Sequence, residues 1–317
     1  MFKYITKRVL SSILTLIIIA VVILLLLRQM PEDGYFENYE HLINNGEAGR
    51  KVIDARLREL HVSEPFYKHV AAFFKDLLHG NLGVSYKYRQ NATVTSIIGE
   101  KCVMSAEFGL ASMVIALILG IPLGGKMAHS KIWDKCGTVF IVIINAVPAA
   151  IYYIFIQMYG TKLLGIQYLF DKKVPLTWVL PTLSMALGNI AYYAMWLRRY
   201  MVDEMTKDYV KLARAKGASA QRITFKHVFR NAFVPMIQYL PSSLLYTVCG
   251  SIYLESIYSI PGMGGLLVDA IQRQDNPLVQ ALVLIYASIG IIGLLIGDIM
   301  MSVLDPRISF VKKEGAR

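Results

Sequence analysis

The chain has 317 residues, 55% of them hydrophobic and 17% charged, with mean hydropathy +0.47 and a formal net charge of +11. A soluble domain carries about 25% charged residues, so this composition excludes an ordinary water-soluble fold. The positive excess must be sorted by membrane side before it is read as affinity for nucleic acid.

The first apolar run, Val9–Leu27, follows Lys3, Lys7 and Arg8. It is too long for a signal-peptide core and no small-residue cleavage site follows. The expectation is a retained first span with its N-terminus inside. Residues 30–101 hold nine Lys/Arg and ten Asp/Glu and no run long enough to cross a membrane. Within them Ala48–Leu60 and Phe66–Leu78 predict amphipathic helices around the Ser63-Glu64-Pro65 break. Five further spans are expected at Val103–Gly125, Gly137–Gly160, Leu176–Leu197, Val234–Leu254 and Leu278–Met301. The fold class is therefore an all-α membrane protein with six transmembrane helices, in one transmembrane domain over 1–317. Residues 30–101 form an extracytoplasmic helical insertion and 198–233 a cytoplasmic loop.

Charge supports that topology. With the N-terminus inside, the inner segments hold 19 Lys/Arg against 6 Asp/Glu, and the outer ones 13 against 14. This is the positive-inside asymmetry. It accounts for the net charge without nucleic acid and places both termini in the cytoplasm, in a multi-pass plasma (inner) membrane protein.

The spans carry few candidates for chemistry. Cys102, Cys136 and Cys249 form no C-x-x-C pair, and the six histidines form no cluster, so neither a disulfide framework nor a metal site is expected. G-x-S-x-G and H-E-x-x-H are absent, and no catalytic residue is assigned. Gly120–Met127 nearly spells a phosphate-binding loop, but Met127 replaces the Mg²⁺-binding hydroxyl and the run ends a span rather than following a strand. No nucleotide cofactor is expected in this chain. Gly120 with Gly124, and Gly293 with Gly297, are spaced for close helix approach. Glu107 and Asp298 lie in or near spans and read as structural anchors.

Asp203–Pro235 is a basic island between two spans. Asp203 and Glu204 suit a helix start and Lys211, Arg214 and Lys216 a helix end. Met205, Tyr209 and Leu212 would share an apolar face, Gly217 would terminate the helix, and Ser219 would cap a second one carrying Phe225, Phe229 and Ala232 inward. By pattern alone this is either a protrusion for a protein partner or a basic loop lying on anionic lipid. A second irregular stretch, Glu255–Gly265, with Pro261, Gly262 and Gly264, follows the fifth span and predicts a loop or re-entrant turn at the outer face.

Asp208-Tyr209-Val210, Ala213-Arg214-Ala215-Lys216-Gly217, His227–Ala232 and Pro235 together resemble the cytoplasmic "EAA" loop of ABC-importer permease subunits, in the dipeptide/oligopeptide/nickel branch. Lys211 stands where the general motif has glutamate. Gly80–Ser85 is similar to that branch's outer G-D-L-G-x-S motif, with Asn81 for aspartate. Glu255–Gly264 resembles its E-x-x-F-x-x-P-G-x-G segment, with Tyr258 for phenylalanine, and Asp305-Pro306-Arg307 its C-terminal D-P-R. The resemblance implies a permease subunit of an ATP-driven importer, most simply of peptides. Asp208, Tyr209, Ala213, Arg214, Ala215, Lys216 and Gly217 would couple to the ATPase, and Glu255, Pro261, Gly262 and Gly264 would lie at the external gate. It further implies a second homologous permease, two cytoplasmic ATPases that hold ATP and Mg²⁺, an extracytoplasmic substrate-binding protein and surrounding lipid. The alternatives are a self-sufficient secondary carrier or channel, a ligand-binding membrane receptor, and an importer of nickel chelates or other small solutes. Scarce intramembrane charge speaks against the carrier.

Overall fold

The computed structural model describes residues 2–29 and 31–304, so Asp305-Pro306-Arg307 and the C-terminus lie outside the described residues. The chain is helical throughout apart from one short hairpin. A long helix α1 (Phe2–Leu27) leads into a segment of three shorter helices, α2 (Tyr39–Asn44), α3 (Gly46–Glu59) and α4 (Phe66–Leu78). Strands β1 (Val84–Ser85) and β2 (Ala92–Thr93) pair antiparallel, Val84 opposite Thr93. Then come α5 (Val94–His129), α6 (Lys131–Ala146), α7 (Ala149–Leu164) and α8 (Val179–Met205). The last third comprises α9 (Asp208–Ala215), α10 (Ala220–Arg222), a π-helical turn at Ile223–Phe229, α11 (Arg230–Val248), α12 (Ile252–Tyr258), α13 (Met263–Gln272) and α14 (Asn276–Leu304).

Four stretches are long and apolar enough to cross a membrane: Ile5–Leu27, Val94–His129, Ala220–Tyr258 and Asn276–Met301. The expected third span, Gly137–Gly160, is not one straight helix. It is α6 and α7, bent by 104°. Pro148 at the break has no N–H to donate and drives Val147 into extended backbone (φ −88°, ψ 125°). The expected fourth span begins as a 3₁₀ turn at Pro175–Trp178 and continues as α8. The fifth stops at Val248 rather than Leu254, because Gly250 takes a left-handed φ of +73°.

Small residues bring the long helices together. A methyl group on Gly124 would stand 2.6 Å from the Ala194 carbonyl oxygen, and one on Gly120 2.9 Å from that of Ile190, so α5 and α8 touch backbone to backbone. Gly293 places α14 against α11, where a methyl would stand 2.7 Å from Ser242 Cα, and Gly297 does the same at Gln238. Both glycine pairs therefore pack helices, as their spacing predicts. Tyr193 Oη donates to Ser243 Oγ at 2.8 Å and ties α8 to α11. Asp298 accepts from Gln238 Nε2 at 3.1 Å and pairs with Arg8 at 3.3 Å, so it anchors α14 to α11 and α1. Glu107 was expected to anchor in the same way, but it lies exposed on α5.

The segment between α1 and α5 is fastened by Asp275, which is fully buried just before α14. Its Oδ2 accepts from Ser85 Oγ at 2.6 Å and from the backbone N–H groups of Lys87 and Tyr88 at 3.0 and 2.9 Å. Its Oδ1 accepts from Leu278 N at 3.4 Å, in the first turn of α14. Asn81 Oδ1 accepts from Gly83 N at 3.0 Å, so this amide supplies the acceptor that an aspartate would. A small core of Tyr35, Phe36, Ile53 and Leu57 closes the segment.

Asp275→Ala is expected to strand four donors, at about 1–3 kcal/mol for each one buried. Limited proteolysis should then cut within residues 30–101 while the long helices survive. His69, 7% exposed in α4, gives a pH dependence. Burial, with the Arg28 and His61 charges, holds its imidazole below the ordinary 6.5. The folded form is neutral, so stability of this segment is full above 6.5 and is lost as pH falls through the lowered value. Proteolysis of the segment across this range should show that loss, and His69→Leu should flatten it.

Candidate functional site

The two stretches singled out in the sequence stand at opposite ends of α11. Its 19 residues separate them by about 28 Å at 1.5 Å per residue.

At the N-terminal end of α11, α8 runs on through Asp203 and Glu204 to Met205 and breaks only at Thr206 and Lys207. The predicted helix start at Asp203 is therefore corrected to Asp208. Burial of Met201, 1% exposed, keeps α8 growing past the expected boundary. Asp208 in the first turn of α9 and Arg214 in the last both suit the helix dipole. Gly217 ends the unit at φ +77°, as predicted. Ser219 caps α10 by accepting from Arg222 N at 3.3 Å. The second helix is not a separate short one, because it passes through the π turn directly into α11. Chain continuity thus links α9 to a spanning helix.

The buried face of α9 also differs from expectation. Val210, 1% exposed, packs into the cluster of Ile223, Val228 and Ala232, with Met205 and Tyr209 beside it. Leu212, expected inside, is 56% exposed. It stands among Lys211, Arg214, Ala215 and Lys216, all exposed, with Ala213 half-buried. Val210 and Leu212 lie about 200° apart around the helix, and since both are apolar, hydropathy did not say which of the two faces turns inward. Phe225, also expected inward, is exposed. Tyr209 Oη donates to Glu204 across the break. Burial and that carboxylate push the phenol up to about 12, so it remains a donor at neutral pH. Asp208 pairs with Lys211 at 2.9 Å on the surface. Nearby, Arg198 grips Asp134 with two bonds, Nη2 to Oδ2 at 2.8 Å, tying α8 to the start of α6. The sequence offered both charges among the inner segments but nothing to pair them.

At the other end of α11, the predicted loop is mostly helix. Ser259 turns the chain at φ +56° between α12 and the Pro261-Gly262 approach to α13. Glu255, 4% exposed, is the centre. Its Oε1 accepts from Ser105 Oγ at 2.7 Å and Ser251 N at 3.2 Å; its Oε2 accepts from Gly264 N at 2.7 Å and Gly265 N at 3.2 Å. Ser105 Oγ in turn accepts from Met263 N at 2.7 Å. The carboxylate therefore caps α13 and braces it on α5.

Gly262 leaves no room for a side chain, since a methyl there would stand 2.5 Å from both Glu255 Oε1 and Ser105 Oγ. Gly264 lies as close to the backbone of Ser251 and Ile252, at 2.7 Å. Pro261 is exposed beside an open pocket of about 610 Å³ that Met104, Tyr168, Phe170 and Ser259 help to line. Tyr258, where the resembling motif has phenylalanine, uses its hydroxyl to meet Ser184 Oγ at 2.9 Å. Gln157 Nε2 donates to the Ile257 and Tyr168 carbonyls, each at 2.9 Å. The stretch is thus a braced cap, and Glu255, Gly262 and Gly264 serve its rigidity. Ser105 was missed because 150 residues separate it from Glu255 and a lone serine in a span carries no signal.

Among the described residues no group of three or more His, Cys, Asp or Glu could hold a metal ion.

Comparison with known sequences bears on both ends. The family described as "Binding-protein-dependent transport system inner membrane component" matches residues 115–310, more than half of the chain. The oligopeptide transport system permease protein AmiC of Streptococcus pneumoniae is 35% identical over 222 residues, 67% of this chain and 44% of that protein. The chain thus spans less than half the length of that relative. The dipeptide transport system permease protein DppB of Bacillus subtilis is 30% identical over 99% of this chain and all of its own length. The oligopeptide transport system permease protein OppB of Haemophilus influenzae is 27% identical over 98% of this chain and, likewise, its whole length.

Glu255→Ala is expected to leave the α13 N–H groups and the Ser105 hydroxyl unpaired, at about 1–3 kcal/mol per buried donor. The purified protein should melt markedly lower in detergent. Glu255→Gln, which keeps one acceptor oxygen, should fall between that variant and the parent.

Proposed function

We propose, because this chain belongs to the family of binding-protein-dependent transport system inner membrane components, that it is the permease subunit of an ATP-driven importer of peptides. Peptide is the cargo named for the pneumococcal, Bacillus and Haemophilus relatives. In this reading the chain crosses the membrane six times, by α1, α5, the bent α6–α7 pair, α8, α11 with α12, and α14, with both termini in the cytoplasm. A second homologous permease completes the pathway. Two ATPases bind below it, and an extracytoplasmic binding protein delivers cargo to the outer segment. Nucleotide and Mg²⁺ belong to the ATPases, which supply the energy.

The observation that carries the proposal is the build of α9. Its outward face presents Leu212 within a ring of Lys211, Arg214, Ala215 and Lys216. An apolar knob with a basic rim matches the anatomy of a protein interface, whose buried core is apolar and whose rim is polar. Its inward face is held by Val210 to Ile223, Val228 and Ala232, so force applied to α9 is delivered to the π turn and the start of α11. Within α11, Pro235 and Pro241 each remove a helix N–H. The helix can therefore bend between its driven end and the braced cap at Glu255. Asp208, Tyr209, Ala213 and Gly217 shape the lever, Arg214, Ala215 and Lys216 meet the ATPase, and Pro261 borders the external opening.

Gly217→Pro, which cannot take φ +77°, and Arg214→Glu are expected to cut peptide uptake by about tenfold or more, the scale of a lost interface contact, while the chain still inserts. Uptake by whole cells, alongside quantified membrane protein, tests this. Normal uptake in both variants would sink the coupling assignment.

A further inference from the structure

The exposed faces of the long helices differ in chemistry. On α1 they carry Leu10, Ile13, Leu14, Ile17 and Ile18, and on α5 Leu110, Val114 and Ile118, aliphatic side chains suited to lipid. The groove between α8 and α11 is different. Tyr192, Trp196 and Tyr200 follow one another at four-residue spacing on α8, with ring centroids 6.3 and 5.6 Å apart. Tyr239 of α11 lies within electrostatic reach of Tyr192 and Tyr200. Tyr246 follows seven residues further along α11, with its hydroxyl beside Gly290 of α14. Tyr192, Tyr239 and Tyr246 are 37%, 44% and 52% exposed.

Aromatic residues that anchor a protein in lipid gather in belts at the two interfaces. This set instead forms one strip. It covers about 12 Å of α8 and continues about 10 Å along α11, at 1.5 Å per residue. It reaches from near the end of α8 that leads to α9 to near the end of α11 that leads to the cap. Its only charge is Arg199, whose guanidinium lies 5.3 Å from the Trp196 ring centroid at the α9 end.

We infer that this strip is the chain's wall of the translocation pathway and that a peptide in transit slides along it. The inference deepens the importer reading and rests on it. Ring faces accept apolar side chains of any shape, and hydroxyl and indole groups offer hydrogen bonds to backbone amides. Such rings give contact area at little cost in side-chain freedom and adapt to varied partners. The scarcity of fixed charge leaves no ion pair to hold a charged cargo. Pro241 lies within the strip on α11 and Pro235 four residues before Tyr239, so bending that helix would move Tyr239 against the ladder on α8.

The test is thiol accessibility in membranes holding the assembled transporter. Cys102, Cys136 and Cys249 are first replaced by serine. Tyr192→Cys and Tyr239→Cys are then compared with Ile17→Cys, on the aliphatic face of α1, using a charged, membrane-impermeant thiosulfonate. Because the thiolate and the reagent both need water, the two strip positions should react about tenfold faster than Ile17→Cys. Tri-alanine with the binding protein should slow them. Rates equal to that of Ile17→Cys would place the strip in lipid. Oxidative cross-linking to a second permease without protection by peptide would place it in a subunit interface. Either result overturns the inference while co-purified ATPase activity keeps the importer reading intact; absence of any co-purifying ATPase would overturn both. The unaltered chain gives an independent measurement. A tripeptide carrying benzoylphenylalanine, photolysed during transport, should cross-link to Tyr192, Trp196, Tyr239 or Tyr246. Cross-links confined to other helices would refute the assignment.

Discussion

A carboxylate buried beside a membrane span has to be answered by donors within the chain, and Glu255 shows how this protein does it. Buried at 4% exposure, its two oxygens take four hydrogen bonds, one from Ser105 and three from backbone N–H groups. Those N–H groups belong to helix ends that would otherwise be unpaired. The acid and the helix termini satisfy each other, and the result locks α12, α13 and α5 into one unit. Asp275 applies the same solution one helix later, joining the outer hairpin to the first turn of α14. Both acids thus do by hydrogen bonding what a buried ion pair would do at a larger desolvation cost.

This bracing gives α11 unequal ends. One end closes into the cap around Glu255, where Gly262 and Gly264 leave no slack. The other passes through a π turn into α10 and rests on α9 through Val210. Between them two prolines interrupt the hydrogen-bond ladder. A helix stiffly held at one end, softened in its middle and attached to a lever at the other converts displacement of the lever into bending. Packing of Gly293 and Gly297 against α11 means that α14 has to follow or slide. Tight backbone contact permits discrete rearrangements better than gradual ones.

Most of the fold was legible from periodicity and charge. Apolar run length located every long helix, and the two glycine pairs pointed correctly to helix contacts. The failures have specific physical origins. Pro148 was a visible break, but a span predicted from hydropathy alone runs across it. Gly250 ended α11 earlier than apolarity suggested. Leu212 and Val210 are interchangeable on any hydropathy scale, and only the packing of Ile223 and Val228 decides which of them turns inward. The motif at Gly80–Ser85 was conspicuous in the sequence, yet nothing indicated that Asp275 is its partner; 190 residues separate Ser85 from Asp275. Local signals read local structure, and the bonds from Ser105 to Glu255 and from Ser85 to Asp275 are long-range.

On the proposed importer reading, the distribution of polarity follows from the work divided among subunits. A pathway that must pass many peptides cannot bind any of them firmly, because each kcal/mol spent on holding cargo slows its release. Rigid, polar-tipped aromatics offer weak contact to every peptide and strong contact to none. Fixed charge is placed elsewhere: at Asp298 and Arg8, where it ties helices together, and on α9, where it rims Leu212. Between α8 and α11, Tyr200 and Tyr239 bond each other, and Tyr193 turns inward to bond Ser243 and hold the two helices in register. Adjacent tyrosines on one helix, Tyr192 facing out and Tyr193 facing in, thus separate the surface that meets the cargo from the joint that keeps it aligned.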